Sequence, residues 1–416
     1  MAAVNRRVFL SATGTALGAG LALHVNPTSA AASGLGHTGI TKADLPTPAL
    51  LVDLDALEAN LKVIADHCRA KGCTFRPHAK THKCPAIGKL QVASGAKGVS
   101  VATVPEAEAM VAAGVPGVLL TSPIVEPGKI ARMVALTKQG GEVILAIGHP
   151  REAELLAEAA ATAKLVMDVF VDLDVGDHRF GILPGAPALE LARKISRYGS
   201  LRLRGVQAYA GLASHVKGFS ARQEVSRTAM LQAVETRQLL AKEGHDVPIL
   251  SGGSTGTYNI DTELPGGIEL QVGSYVFMDV GYRAIGGRSG DDVYTDFRPS
   301  LTVLTTVVST TLDDRASIDA GVKSFATDSP ALPEAKDREG LRYKFFGDEF
   351  GLLTAESGAK LPRLGDRLEF YVPHCDPTVN LYDRIYATRG DHVEAVWPTV
   401  ARKETADRTT KPAGQR

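Results

Sequence analysis

Lys80, Thr81, His82 and Lys83 close the run Thr74-Phe75-Arg76-Pro77-His78-Ala79-Lys80-Thr81-His82-Lys83 and put three basic side chains and a hydroxyl at consecutive positions. Pro77 disfavours helix at the residues before it and Pro85 bounds the segment on its far side, so residues 74–80 read as a short strand ending in the basic cluster. An ammonium crowded by cations is disfavoured. With His82 and Lys83 within three residues, Lys80 is expected to have a lowered pKa, as a lysine that bonds to a carbonyl requires. The plain alternative is a surface charge.

Four further groups carry chemistry. In Tyr371-Val372-Pro373-His374-Cys375-Asp376-Pro377-Thr378, an extended chain places His374 and Asp376 on one face and turns Cys375 away. An imidazole and a carboxylate so placed can hold a divalent cation, with water or substrate completing its shell, and a carboxylate favours a hard ion such as Mn2+ or Mg2+ over Zn2+. Ser251-Gly252-Gly253-Ser254-Thr255-Gly256-Thr257 has glycines that let backbone N–H groups approach an anion and hydroxyls that add donors, the makings of a phosphate loop. Arg179 is either a fixed cation for a ligand or an ion-pair partner of Asp172, Asp174 or Asp177. Tyr209 and His215 read by themselves as a core tyrosine and a loop histidine.

The elements that position these groups alternate. Candidate strands fall at 74–80, 98–103, 117–122, 142–148, 165–173, 203–210, 248–252 and 269–279, with amphipathic helices between them. Leu57, Leu61, Ile64 and Cys68 recur on one helical face before the first strand, and Val225, Met230, Val234 and Leu240 do so after the sixth. Gly72, Gly114, Gly199 and Gly244 close helices. This predicts a (β/α)8 barrel over 53–285, with a doubly wound open sheet as the structural rival. In such a barrel the strand C-termini carry the chemistry: Lys80 ends the first strand, Arg179 follows the fifth, Tyr209 lies near the end of the sixth with His215 beyond, the 251–257 loop follows the seventh, and Gly273-Ser274-Tyr275 falls in the eighth. After Asp291 the pattern turns to β-branched, alternating runs, so 286–401 reads as a second, all-β domain. Residues 33–52 are expected to join that domain, and 402–416 to form a polar tail.

Composition excludes several classes. The 46 basic and 46 acidic residues give a net charge of +0, which leaves no footprint for nucleic acid or an anionic membrane. Four cysteines without a Cys-x-x-Cys pair make no disulfide framework. Residues 1–32 read as an export signal: Arg6-Arg7 precede Phe9-Leu10 and a Gly/Ala/Leu run, and small residues follow at Ser29-Ala30-Ala31-Ala32, the layout of a twin-arginine signal. That places the mature chain outside the cytoplasm, in the periplasm.

The cofactor-lysine run, the glycine-rich loop and the His-x-Asp pair together resemble the D-threonine aldolase and D-serine dehydratase family, enzymes with an alanine-racemase-like barrel, over residues 45 to 400. The resemblance implies pyridoxal phosphate bonded to Lys80, Arg179 facing the ring oxygen, Tyr209 lining the ring, and phosphate held by the loop containing Gly252, Gly253, Ser254 and Thr255, with Gly273, Ser274 and Tyr275 close by. It also implies His215 as general base and a divalent cation on His374 and Asp376. The related dehydratases present histidine and cysteine at that spacing, with zinc, so the carboxylate favours aldolase. The expected partner is a small D-β-hydroxy-α-amino acid, and the expected assembly a homodimer. A D-serine-type dehydratase, an amino-acid racemase and a non-catalytic pyridoxal phosphate carrier are the rival readings.

Overall fold

The computed structural model describes residues 39–290 and 292–402. The expected export signal lies outside the described residues, as does the expected tail apart from Arg402. No described helix is long and apolar enough to cross a membrane.

The chain enters as β1 (Ala49–Asp53) and α1 (Leu54–Lys71). Asp53 caps the helix, its Oδ1 accepting from Ala56 N at 3.0 Å, and Gly72 ends it at φ +65°. Leu57, Leu61, Ile64 and Cys68 are buried along its inner face, each worth ~1.5–3 kcal/mol.

Eight parallel strands follow: β2 (Thr74–Phe75), β3 (Ser100–Val101), β4 (Val118–Leu120), β5 (Val143–Ile147), β6 (Met167–Leu173), β7 (Leu201–Ala208), β8 (Ile249–Gly252) and β9 (Glu269–Leu270). They are hydrogen-bonded in the order β2-β9-β8-β7-β6-β5-β4-β3. The two ends of that order meet at a parallel bridge between His78 and Ser100, where Ser100 N donates to Pro77 O at 2.8 Å. The ring is therefore closed, as a barrel and not an open sheet. Each strand leads to a helix: α2 (Pro85–Ala93), α3 (Val104–Ala112), α4 (Pro127–Lys138), α5 (Pro150–Thr162), α6 (Ala186–Ser196), α7 (Phe219–Lys242), α8 (Tyr258–Asp261) and α9 (Val280–Arg283). The first five of these carry proline in their opening turn, where no intrahelical N–H is lost.

Most strands are shorter than the sequence reading, and at two of them the difference moves site residues out of the strand. β2 stops at Phe75, and Lys80 sits in a 3-10 turn, Ala79–Thr81. β9 stops at Leu270, so Gly273-Ser274-Tyr275 lies in the loop beyond it rather than within the strand. Polar residues explain why the barrel interior does not read as an apolar run. Gln207 Nε2 donates to Asp172 Oδ1 (2.8 Å) and Thr121 O (3.0 Å), and Gln271 Nε2 donates to Gln207 Oε1 (3.2 Å) and Ser251 Oγ (2.9 Å). Ser251 Oγ donates to Glu269, which Arg76 grips with two bonds of 2.8 and 3.1 Å. Arg76, near the start of the basic run, is thus a buried structural cation.

The second domain is a nine-stranded sheet of β10 (Leu301–Ser309), β11 (Ala316–Ile318), β12 (Glu334–Ala335), β13 (Leu341–Phe345), β14 (Gly351–Ala355), β15 (Arg367–Tyr371), β16 (Arg384–Arg389) and β17 (His392–Pro398) together with β1. β1 lies between β10, antiparallel, and β16, parallel. The segment before the barrel thus supplies a strand to this sheet. One short helix, α10 (Cys375–Val379), interrupts the strands. The chain then returns to the barrel: Val400 N donates to Lys83 O at 2.7 Å.

Candidate active site

Lys80 owes its position to His78. The His78 Nδ1 accepts from Lys80 N at 3.3 Å, and its Nε2–H donates to Thr121 Oγ1 at 3.1 Å, because the Thr121 hydroxyl is itself committed to Val101 O. Burial, reinforced by the Lys80 charge, pushes the His78 pKa well below the ordinary imidazole value. The Lys80 ammonium pairs with Asp376 Oδ1.

That pair overturns the expected pKa. Burial pushes Lys80 down, but the Asp376 charge and hydrogen bond outweigh it, and the pKa stands above the ordinary lysine value. The neighbouring cations are engaged with partners of their own. His82 is buried, its Nδ1 accepting from Cys84 N and its Nε2 donating to Gln91 Oε1, and burial pulls its pKa to about 4. Lys83 turns to Glu106.

Lys80, Arg179, Tyr209, Ser254, Thr255 and Ser274 line one cleft at the C-terminal end of the barrel, with Gly273 at its wall. Sequence reasoning missed His78, Thr121, Phe180, Gln207, Gln271 and Tyr282, which line it too. Gln207 lies on β7 and Gln271 directly follows β9, positions knowable only once the register is known. Arg179 pairs with none of the three carboxylates that were its alternatives. Asp172 takes Gln207, Asp174 takes His178, and Asp177 accepts from the N–H groups of Gly211 and Leu212. The Arg179 guanidinium instead lies 4.3 Å from the Phe180 ring centre and 5.6 Å from that of Tyr209. Tyr209 is fixed through its hydroxyl, 3.1 Å from Ser214 Oγ.

The 251–257 loop is shaped from below. Asp261, buried, accepts from Ser226 Oγ (2.6 Å) and Thr257 Oγ1 (2.5 Å), and Thr257 Oγ1 accepts from Ser254 N (3.0 Å). Burial pushes the Asp261 pKa up to about 6. Gly252 and Gly253 do not line the cleft. A Cβ at Gly252 would sit 2.0 Å from Ala208 O, and Gly253 adopts φ +77° against Asp261, so both serve loop shape. Among the described residues no acceptor engages the N–H groups of Thr255, Gly256, Gly273 and Ser274. Tyr275 is a correction: its ring is fully buried, its hydroxyl accepts from Gln91 Nε2, and only its backbone N–H reaches the loop, at Thr255 Oγ1.

His374 and Asp376 are not on an extended run. His374 caps α10 and Asp376 stands in its first turn, yet their side chains still converge, His374 Nε2 lying 3.9 Å from Asp376 Oδ2. Asp376 Oδ2 is buried without a hydrogen-bond partner. Burial raises the Asp376 pKa but the Lys80 charge overrides it, leaving the carboxyl at about 2. Cys375 is held away: its N–H and its thiol both donate to Asp279 Oδ2 at 3.0 Å. Burial and Asp279 push that thiol well above its ordinary pKa. Among the described residues no group of three or more His, Cys, Asp or Glu side chains could hold a metal ion, so the pair would supply two ligands.

His215 stacks on Tyr282, ring centres 4.2 Å apart, and Tyr282 N donates to Asp279 Oδ1. His215 as a whole is exposed. Loss of water on its covered side lowers its pKa, and the His374 and Lys80 charges add to this. A larger groove of about 600 Å³ on the β domain, between Lys42 and Arg367, contains none of these residues.

A closed parallel barrel with a lysine beyond its first strand, joined to a β domain, defines the alanine-racemase class. Residues 52–280 match the alanine racemase N-terminal domain and residues 300–388 the putative serine dehydratase domain, and the chain belongs to this family. It is 35% identical over 360 residues to a D-threonine aldolase of Arthrobacter sp., covering 86% of this chain and 93% of that one. It is 34% identical over 366 residues to a 3-hydroxy-D-aspartate aldolase of Paracoccus denitrificans, covering 88% and 94%. The crystal structure of D-threonine aldolase from Filomicrobium marinum superposes with a TM-score of 0.83 at 36% identity, covering 88% of this chain and 97% of that one.

Proposed function

We propose that this protein is a pyridoxal-phosphate-dependent lyase that cleaves D-β-hydroxy-α-amino acids to glycine and an aldehyde. One observation carries the reading: Lys80, which lines the barrel cleft, pairs with Asp376 of the His374–Asp376 pair, so a carboxylate rather than a thiolate faces the lysine, Asp279 holding Cys375 back.

The residues fit the two groups the family implies. Lys80 supplies the amine for the cofactor aldehyde. The Arg179 cation and the Tyr209 ring suit a phenolic, aromatic ligand, and the free N–H groups of the two loops suit its phosphate. The unpartnered Asp376 Oδ2 beside His374 Nε2 suits a hard divalent cation, Mn2+ or Mg2+ before Zn2+. When bound, pyridoxal phosphate supplies a sink for the electron pair of the broken Cα–Cβ bond, and the cation supplies Lewis acidity at the substrate β-oxygen.

The chain's own residues do the rest. Lys80 would hold the cofactor through its amine and would yield that place to the substrate amine. His215 takes the β-hydroxyl proton, a role that its lowered pKa serves by keeping the ring neutral near pH 7. Arg179 would face the ring oxygen of the cofactor, and Tyr282 keeps the His215 ring in place. A homodimer exported by the twin-arginine route completes the proposal; Arg6-Arg7 support the route.

The match of 300–388 to a putative serine dehydratase domain favours one rival, loss of the β-hydroxyl instead of cleavage. D-threonine separates the two. Metal-loaded enzyme is expected to give glycine and acetaldehyde, and chelation to stop it. Dominant 2-oxobutanoate and ammonia would assign the dehydratase.

A further inference from the structure

Asp328 lies in a β-domain segment that sequence reading passed over. Its Oδ2 is 2.7 Å from His374 Nδ1, while the other ring nitrogen, Nε2, faces the unpartnered Oδ2 of Asp376. When Nδ1–H is donated to a carboxylate, the neutral imidazole carries its lone pair on Nε2, the nitrogen turned to the cation site. The contact is exposed, but the segment bearing Asp328 is tied to α10 and to the turn after it. Ala326 N donates to Thr378 Oγ1 at 3.0 Å, the Thr378 hydroxyl donates to His374 O at 2.7 Å, and the Tyr382 hydroxyl donates to Ser324 O at 3.0 Å.

We propose that Asp328 is a positioning residue for a divalent cation at His374 and Asp376, fixing the His374 tautomer and ring plane. A carboxylate behind a metal-binding imidazole orients the ring and raises the basicity of its free nitrogen. With two protein ligands in place of three or four, the site depends more heavily on each one's aim. The inference rests on the metal reading above, and its test separates the two.

Full-length, cofactor-loaded protein, freed of metal with a chelator, is titrated with MnCl2, and free Mn2+ is read by electron paramagnetic resonance. Asp328→Ala and Asp328→Asn are expected to raise the Mn2+ Kd by about 10–100-fold, and Asp328→Glu to restore most of the affinity. Cofactor absorbance and Tm should stay at wild-type values in all three. Wild-type Kd in the Ala and Asn variants overturns the inference. So does a joint loss of Mn2+ binding and cofactor absorbance, which marks a general structural role. If wild type binds no more Mn2+ than His374→Ala, the metal reading itself fails.

Discussion

Two lysines three positions apart, Lys80 and Lys83, are given opposite tasks by their counterions. Lys83 is drawn to buried Glu106, while Lys80 reaches the cleft to pair with Asp376. Lys80→Ala should abolish both visible cofactor absorbance and the borohydride-fixed adduct, and Lys83→Ala should retain them. The reverse result would move the attachment to Lys83. Asp376→Ala should keep the cofactor absorbance but lose metal dependence and most turnover, because Asp376 serves chemistry rather than attachment. Asp172 is instructive in another way. Burial lifts its pKa to about 7 at the end of β6. A carboxyl that is neutral when folded and ionised when unfolded stabilises the fold fully below the unfolded pKa, and that stability drains as pH rises from about 4 to 7. The loss is of order 1.4 kcal/mol per pH unit. Asp172→Asn, which still offers an oxygen to Gln207 Nε2, should flatten this slope in urea melts between pH 5 and 8. An unchanged slope would mean that Asp172 is ionised in the fold.

Elements with strong periodic faces were legible in the sequence. α1 buries the four residues its spacing named, and the barrel strands fall where the apolar runs are. Leu57→Ala, which opens a cavity under α1, should cost about 2–5 kcal/mol and lower Tm, leaving cofactor absorbance intact in the folded protein. Within the β domain, β16 leaves no alternation to read, because Ile385, Tyr386, Ala387 and Thr388 are all buried. β13 alternates cleanly, with Leu341 and Tyr343 inward. The basic cluster misled for a different reason: adjacency in sequence was taken for adjacency in space, whereas the 3-10 turn at Ala79–Thr81 disperses the side chains to separate partners. Asp328 and Asp279 had no local signal, since their meaning lies in contacts 46 and 96 residues away. The phosphate loop joins both lessons. Its glycines were right as an element yet wrong as contacts, for Gly253 acts through Asp261. Gly253→Val should therefore weaken pyridoxal phosphate binding far more than pyridoxal binding, measured by fluorescence quenching. Equal losses would show that the loop does not hold phosphate.

At the scale of the molecule, the barrel is inserted into the β domain, because β1 precedes it and β10 follows it in the same sheet. The return of the chain to Lys83 adds a second tie, through Val400 N and the contact of Lys83 Nζ with Ala401 O. Removing residues 399–416 should leave the barrel folded and weaken cofactor binding, as measured by equilibrium dialysis, since the lysine loop loses its clasp. The position of β1 also sets a timetable. The ribosome delivers this strand first, but the two strands that flank it, β10 and β16, emerge only after the whole barrel has been made. While the barrel is being made both edges of β1 wait without partners, and β16 closes the second of them only after β15 has emerged. A nascent chain stalled between β15 and β16 should be cut by protease next to β1, where the released protein resists.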